Sequence, residues 1–108
     1  MRIIAGEHRG ARLLSPEGRT TRPMLDRVRT ALFDRLGPLA GARVLDLFAG
    51  TGCLGFEALS RGAESCRFVE SDPRALAALR ANVEKLRMEE RARLVRGDAF
   101  AFARSLRE

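Results

Sequence analysis

The 108 residues, 45% of them apolar, are enough for one domain with a modest core. No apolar run reaches membrane-spanning length, and Met1-Arg2-Ile3-Ile4 passes at once into polar residues, so neither a spanning helix nor a signal peptide is expected. The net charge of +6 excludes an acidic, self-solvating chain and points toward a polyanionic partner.

That charge is unevenly placed. Up to Arg43 the chain carries nine arginines against four acids, whereas from Val44 onward eleven basic residues face ten acids. All but one of the basic residues are arginine, whose planar fork suits phosphate oxygens. Cys53 and Cys66 are too few for a disulfide framework and lack metal-ligand spacing, so no metal site is expected and a reducing cytoplasm is the natural setting. Cys53 reads as a small residue filling a loop.

In chain order, Met1 to Ser15 predicts a hairpin, with Ile3, Ile4 and Ala5 on one arm, Ala11, Leu13 and Leu14 on the other, and a turn over Gly6–Gly10. His8 in that turn reads as a surface residue. Ser15-Pro16-Glu17-Gly18 is turn chemistry, and Thr21-Arg22-Pro23 opens a helix whose stripe Leu25, Val28, Leu32, Leu36 should be its buried face. Gly37-Pro38 ends it.

Val44, Leu45, Leu47 and Phe48 then predict a buried strand, broken by Gly50, Gly52 and Gly55 before Leu54, Ala58 and Leu59 resume at helical spacing. This helix runs to about Arg61, with Gly62 beyond its end. Ser65–Glu70 is a second strand, and Asp72-Pro73 caps and starts a helix with the stripe Leu76, Leu79, Val83, Leu86. Arg93–Arg96 is a short third strand. Gly97-Asp98-Ala99 leads into a last helix with Phe102, Ala103 and Leu106 on its apolar face.

A strand turning through glycines into a helix offers backbone N–H groups to a ligand, and both dinucleotides and S-adenosylmethionine fit that geometry. Glu70 lies twenty positions after Gly50, where an acid holding ribose hydroxyls is expected. Asp46 separates the two ligands. A carboxylate at the approach to the loop repels a pyrophosphate but suits the ammonium and sulfonium of S-adenosylmethionine.

Asp46-Leu47-Phe48-Ala49-Gly50-Thr51-Gly52 resembles motif I of the class I methyltransferases. Arg2-Ile3-Ile4-Ala5-Gly6, Arg9-Gly10, Thr21-Arg22-Pro23, Asp26-Arg27-Val28-Arg29 and Leu32-Phe33 resemble the opening of one family of these enzymes, which methylates the exocyclic N2 of a guanine in 16S ribosomal RNA. The resemblance implies an α/β, Rossmann-like class I methyltransferase fold, partial here, with strands in the order third, second, first. It divides the chain into a basic, RNA-facing hairpin and helix (1–40) and a cofactor-binding core (41–108).

The same resemblance implies a cofactor set of Asp46, Phe48, Gly50, Thr51, Gly52, Glu70, Asp98 and Ala99. Asp98 would reach the adenine amino group, although it suits a cap for the last helix as well. Arg9, Arg22, Arg27 and Arg29 are the candidate phosphate contacts, with ribosomal RNA or a small-subunit assembly intermediate as partner. The family's catalytic Asn/Asp-Pro-Pro-Tyr/Phe segment is absent from these residues, whose prolines stand at 16, 23, 38 and 73. No catalytic residue is therefore assigned. The first strand, lacking the fourth as neighbour, should expose an edge that invites self-association. Two other classes remain: a non-catalytic RNA-binding module and a nicotinamide-dependent oxidoreductase.

Overall fold

The computed structural model describes residues 1–15, 26–47, 49–50 and 52–106. Three parallel strands, β1 (Arg43–Leu47), β2 (Ser65–Glu70) and β3 (Ala92–Arg96), lie in the order β1-β2-β3, the order that the resemblance implies. Leu47 pairs with Val69, and Glu70 pairs with Arg96. The connecting helices α2 (Cys53–Ser60) and α3 (Pro73–Leu86) share one face of the sheet, as successive right-handed crossovers in one direction require. Asp72 caps α3 by accepting from the Arg74 N–H at 2.9 Å, with Pro73 at the first helical position. The core lies between these helices and β2, where Phe56 and Phe68 rings meet at 4.7 Å beside Leu59, Leu79 and Met88. A Cβ on Gly55 would enter the Phe68 ring, so this glycine lets α2 approach the sheet.

The hairpin forms as expected, through an antiparallel bridge of Arg2 and Arg12. Ile3 N–H donates to Ala11 O at 2.9 Å, and Gly10 N–H donates back to Ile3 O at 2.8 Å. Ile3 and Leu13 are buried. The polar contacts are more unusual. Among the described residues the buried polar side chains are Arg29, Glu57, Ser60 and Asn82, and all four bind the backbone of residues 2–14. Glu57 takes Ile4 N–H at 2.8 Å and Ala5 N–H at 3.1 Å. Ser60 Oγ accepts from His8 N–H at 2.9 Å and donates to Ala5 O at 2.7 Å. Asn82 accepts from Leu14 N–H at 2.7 Å and donates to Leu14 O at 3.0 Å. Gly6, at φ +88°, runs so close to the Ser60 carbonyl that a side chain there would collide with it.

The helix α1 (Asp26–Leu36) differs from expectation. Leu25 and the expected start at Thr21–Pro23 lie outside the described residues. Val28, Leu32 and Leu36, expected inside, are 48%, 36% and 57% exposed, and the buried side chains are Arg29 and Phe33. Arg29 faces inward because Glu57 and the Arg2 carbonyl receive it, and Phe33 because the Arg61 guanidinium covers its ring at 4.8 Å. The last helix, α4 (Ala99–Ser105), keeps Phe102 and Ala103 half-buried, but Leu106 just past its end is exposed. β1 ends the sheet, with β2 its partner strand among the described residues, and Leu45 on it is 39% exposed.

Removing the Glu57 carboxylate would take away the buried counter-charge of Arg29, leaving it the exposed Asp26 alone, and would leave two backbone N–H groups unpaired. Breaking one partner of a buried ion pair costs about 3–5 kcal/mol. Glu57→Ala is therefore expected to lower unfolding free energy by an amount in that range, measured by urea titration. A loss under about 1 kcal/mol, the size of an ordinary surface change, would mean that Ile3 and Leu13 alone hold the hairpin.

Candidate cofactor-binding site

The site forms at the carboxyl ends of the parallel strands, where open α/β sheets bind ligands. Helix α2 begins after Gly52, which has φ +81° and supplies no side-chain cap. Asp46, on the neighbouring strand, does the capping instead: its Oδ2 accepts the Gly55 N–H, an orphan of the first turn, at 3.2 Å. Burial pushes Asp46 up from 3.8 to about 6, with the Gly55 amide opposing and the nearby Glu70 charge adding to the rise. Burial and the Asp46 charge also push the Cys66 thiol up to about 12, so it stays protonated.

Glu70 ends β2 and gathers three backbone donors. Its Oε1 accepts Gly50 N–H at 2.8 Å, and its Oε2 accepts Ser71 N–H at 3.1 Å and Asp72 N–H at 3.0 Å. One carboxylate thus joins the glycine loop after β1 to the turn after β2. Gly97 N–H donates to the Glu70 carbonyl at 3.0 Å, which brings the end of β3 to the same rim. Asp98 there caps α4, accepting from Ala101 N–H at 3.1 Å and Phe100 N–H at 3.4 Å, and Ala99 beside it is buried.

Of the predicted cofactor residues, Asp46, Gly50, Gly52, Glu70, Asp98 and Ala99 therefore stand along the strand ends. Phe48 and Thr51 lie outside the described residues. Of the predicted phosphate contacts, Arg9 and Arg27 are exposed, and Arg22 lies outside the described residues. Arg29 is a correction. It is fully buried, donating to Arg2 O and to Asp26 Oδ1 at 3.3 Å, so it holds the fold and is closed to an RNA phosphate. His8, read as a surface residue, is half-buried with Nε2 at 3.0 Å from Leu86 O. Glu57, Ser60 and Asn82 were not singled out by motif reasoning. Their signal was available: Glu57 and Ser60 interrupt the apolar run of α2, and Asn82 falls on the face of α3 that carries Leu79, Val83 and Leu86.

The strand order, the glycine turn and an acid at or next to the end of each of the first two strands define a class I methyltransferase fold, and the Escherichia coli protein yhhF superposes with a TM-score of 0.84 at 43% identity, over 94% of this chain and 55% of that one. All of residues 1–108 match the family described as conserved hypothetical protein 95, and the chain belongs to it. Bacillus subtilis YlbH is 44% identical over 100 residues, 92% of this chain and 54% of YlbH. The ribosomal RNA small subunit methyltransferase D of Escherichia coli strain K12 is 42% identical over 103 residues, 94% of this chain and 52% of the enzyme. The chain spans about half the length of these relatives. No helix among the described residues is long and apolar enough to cross a membrane.

The Asp46 shift has a defined sign. Folding raises this pKa, so between about pH 4 and pH 6 the native state binds more protons than the unfolded chain, and stability falls as pH rises through that window. Asp46→Asn retains an acceptor for Gly55 but cannot ionise. Melting curves across the window are expected to be flatter for the variant than for the parent. Equal slopes would place the Asp46 carboxyl in a solvated setting.

Proposed function

We propose that this chain is the cofactor-binding and RNA-contacting portion of an enzyme that transfers a methyl group from S-adenosylmethionine to the exocyclic N2 of a guanine in 16S ribosomal RNA, in the cytoplasm. The observation that carries the reading is the pair of acids, Asp46 and Glu70, set around a glycine loop at the strand ends. This donor-poor, acceptor-rich rim fits a cationic methionine end and a diol. It suits a pyrophosphate poorly, which weighs against the nicotinamide reading.

Asp46 lies toward the amino-acid end of the cofactor, and its ionised form would face the ammonium. Glu70 holds the ribose. A carboxylate has about four acceptor sites, and three already take backbone N–H groups, so engaging two hydroxyls requires Glu70 to release or share one amide. Asp98 and Ala99 border the adenine, joined in this set by Gly50 and Gly52, which carry the chain past the ligand; Phe48 and Thr51 belong to it by sequence motif. The bound cofactor supplies a methyl on a sulfonium, ready for displacement. The protein's remaining task is to position the amine in line with that bond, and misplacement by about 1 Å costs on the order of a hundredfold. The segment that holds the guanine in the resembled family is not among residues 1–108. These residues alone are therefore expected to incorporate no radiolabelled methyl into small-subunit RNA, and turnover by them would contradict the assignment.

The RNA part of the reading rests on exposed Arg9 and Arg27 and on the basic balance of the first 43 residues. A non-catalytic RNA-binding module would show RNA affinity with no cofactor affinity. Calorimetry separates the readings: the full-length protein should bind S-adenosylmethionine and its demethylated product but not NAD. Affinity should rise as pH passes upward through about 6, where Asp46 ionises. Glu70→Ala should cost about 1–3 kcal/mol of binding by leaving hydroxyls and amides unpaired. Equal binding by the alanine variant would remove Glu70 from the site.

A further inference from the structure

The outer face of the hairpin carries charge that the rest of the fold does not neutralise. Arg2 and Arg12 are direct cross-strand partners. Ile3 N–H donates to Ala11 O and Leu13 N–H donates to Met1 O, so these bonds flank the pair, which exchanges none itself. Such a pair is the narrow kind, with Cα atoms about 4.5 Å apart and side chains at their closest. Side chains alternate along each arm. Ile3 and Leu13 point inward and are buried, so Arg2 and Arg12 point outward together, and both are exposed. A third cation joins them from α3, where exposed Lys85 donates from Nζ to Arg12 O at 2.7 Å.

Like charges directly opposite each other destabilise a strand pair. Other arginines of this region are matched: Arg29 and Arg61 face Glu57, and Arg91 lies 3.8 Å from Glu7. Arg2, Arg12 and Lys85 have no ion pair among the described residues. Glu84, beside Lys85 in the chain, projects from a different side of α3. The position of this face matters as much as its charge. The hairpin bonds Glu57, Ser60 and Asn82 on α2 and α3, the helices that already cover this side of the sheet. It is therefore a layer outside the helices, and its outer face lies beyond the helix layer that the fold class places on the sheet.

We propose that Arg2, Arg12 and Lys85 form a clamp for one RNA phosphate on the outer face of the hairpin. Two guanidinium forks and an ammonium converge there, and a phosphodiester offers two non-bridging oxygens that such forks take in parallel bonds. Bound phosphate offsets the repulsion within the pair, so RNA and the hairpin stabilise each other. Glu57 fixes the hairpin to α2, and Asp46 caps the start of that helix. A phosphate held in the clamp thus sets the position of the RNA relative to the strand-end rim. The clamp is distinct from Arg9 and Arg27, and it rests on the reading of the protein as acting on RNA.

The test uses the full-length protein, a small-subunit RNA fragment and two double variants, Arg2→Gln with Arg12→Gln and Arg2→Lys with Arg12→Lys. Both leave the backbone acceptors of Arg29 and Lys85 in place. The logarithm of affinity against the logarithm of salt should become shallower by about 0.7–0.9 in the glutamine variant, one lost phosphate contact, and keep the parent slope in the lysine variant. The glutamine variant, relieved of its opposed charges, should melt at or above the parent temperature when free. A lower melting temperature with weaker binding would give the two arginines a structural role and overturn the clamp. Equal loss of slope in both variants would mean that charge is not the cause, and overturns it too. An unchanged slope in the glutamine variant, with RNA still bound, overturns the clamp and leaves the proposed function standing. Absence of RNA binding by the parent protein removes both. Arg2 and Arg12 should react with a glyoxal reagent in the free protein and be protected by RNA. If both are unreactive without RNA, another segment covers the face and the proposal fails.

Discussion

One buried carboxylate organises this molecule. Glu57 sits one turn into α2 with no solvent exposure, and it accepts from two hairpin amides, from Arg61 Nε at 2.8 Å, and faces Arg29 Nε at 3.9 Å. A buried charge is tolerable only when such partners surround it, so hairpin, α1 and α2 must assemble together. Arg61, held by Glu57, in turn covers Phe33 and seats α1. The segment expected to be an RNA-facing extension is thereby tied to the helix that begins at the glycine loop.

The strand-end rim uses the same chemistry with less burial. Asp46, Glu70 and Asp98 each accept backbone N–H groups, so each acid shapes a loop before any ligand arrives. Preorganisation of this kind lowers the ordering cost of binding. It also sets a competition, because the acceptors that hold the loops are those a ligand would engage. Asp98, expected either to reach the adenine or to cap the last helix, caps α4 in this fold.

Local chemistry made much of the fold legible. The Asp72-Pro73 start of α3 and the glycine break after β1 followed from residue types within a few positions of one another, whereas the strand order followed from the family resemblance. The face of α1 did not follow. Its leucines and valine form a regular apolar stripe, yet Arg29 and Phe33 turn inward because their partners, Glu57 and Arg61, lie far along the chain. For the same reason Arg29 read as a phosphate contact. Ser60 and Asn82 stood out only as polar residues on the apolar faces of α2 and α3, and their hairpin partners are more than fifty positions away. At the site, Asp46 and Glu70 were legible from spacing, while the amides they hold were not, because no residue type announces which backbone N–H a carboxylate will take.

The central claim is that the Asp46 and Glu70 carboxylates form the cofactor rim while bracing its loops. Amide NMR of the full-length protein titrated with S-adenosylhomocysteine tests it most directly. The account predicts that the largest shifts fall at Gly50, Gly55, Ser71, Asp72 and the Gly97–Ala99 turn, with Gly50 showing the change expected when Glu70 shares or releases its amide. Shifts centred away from the strand ends, with Gly50 and Ser71 unmoved, would contradict it.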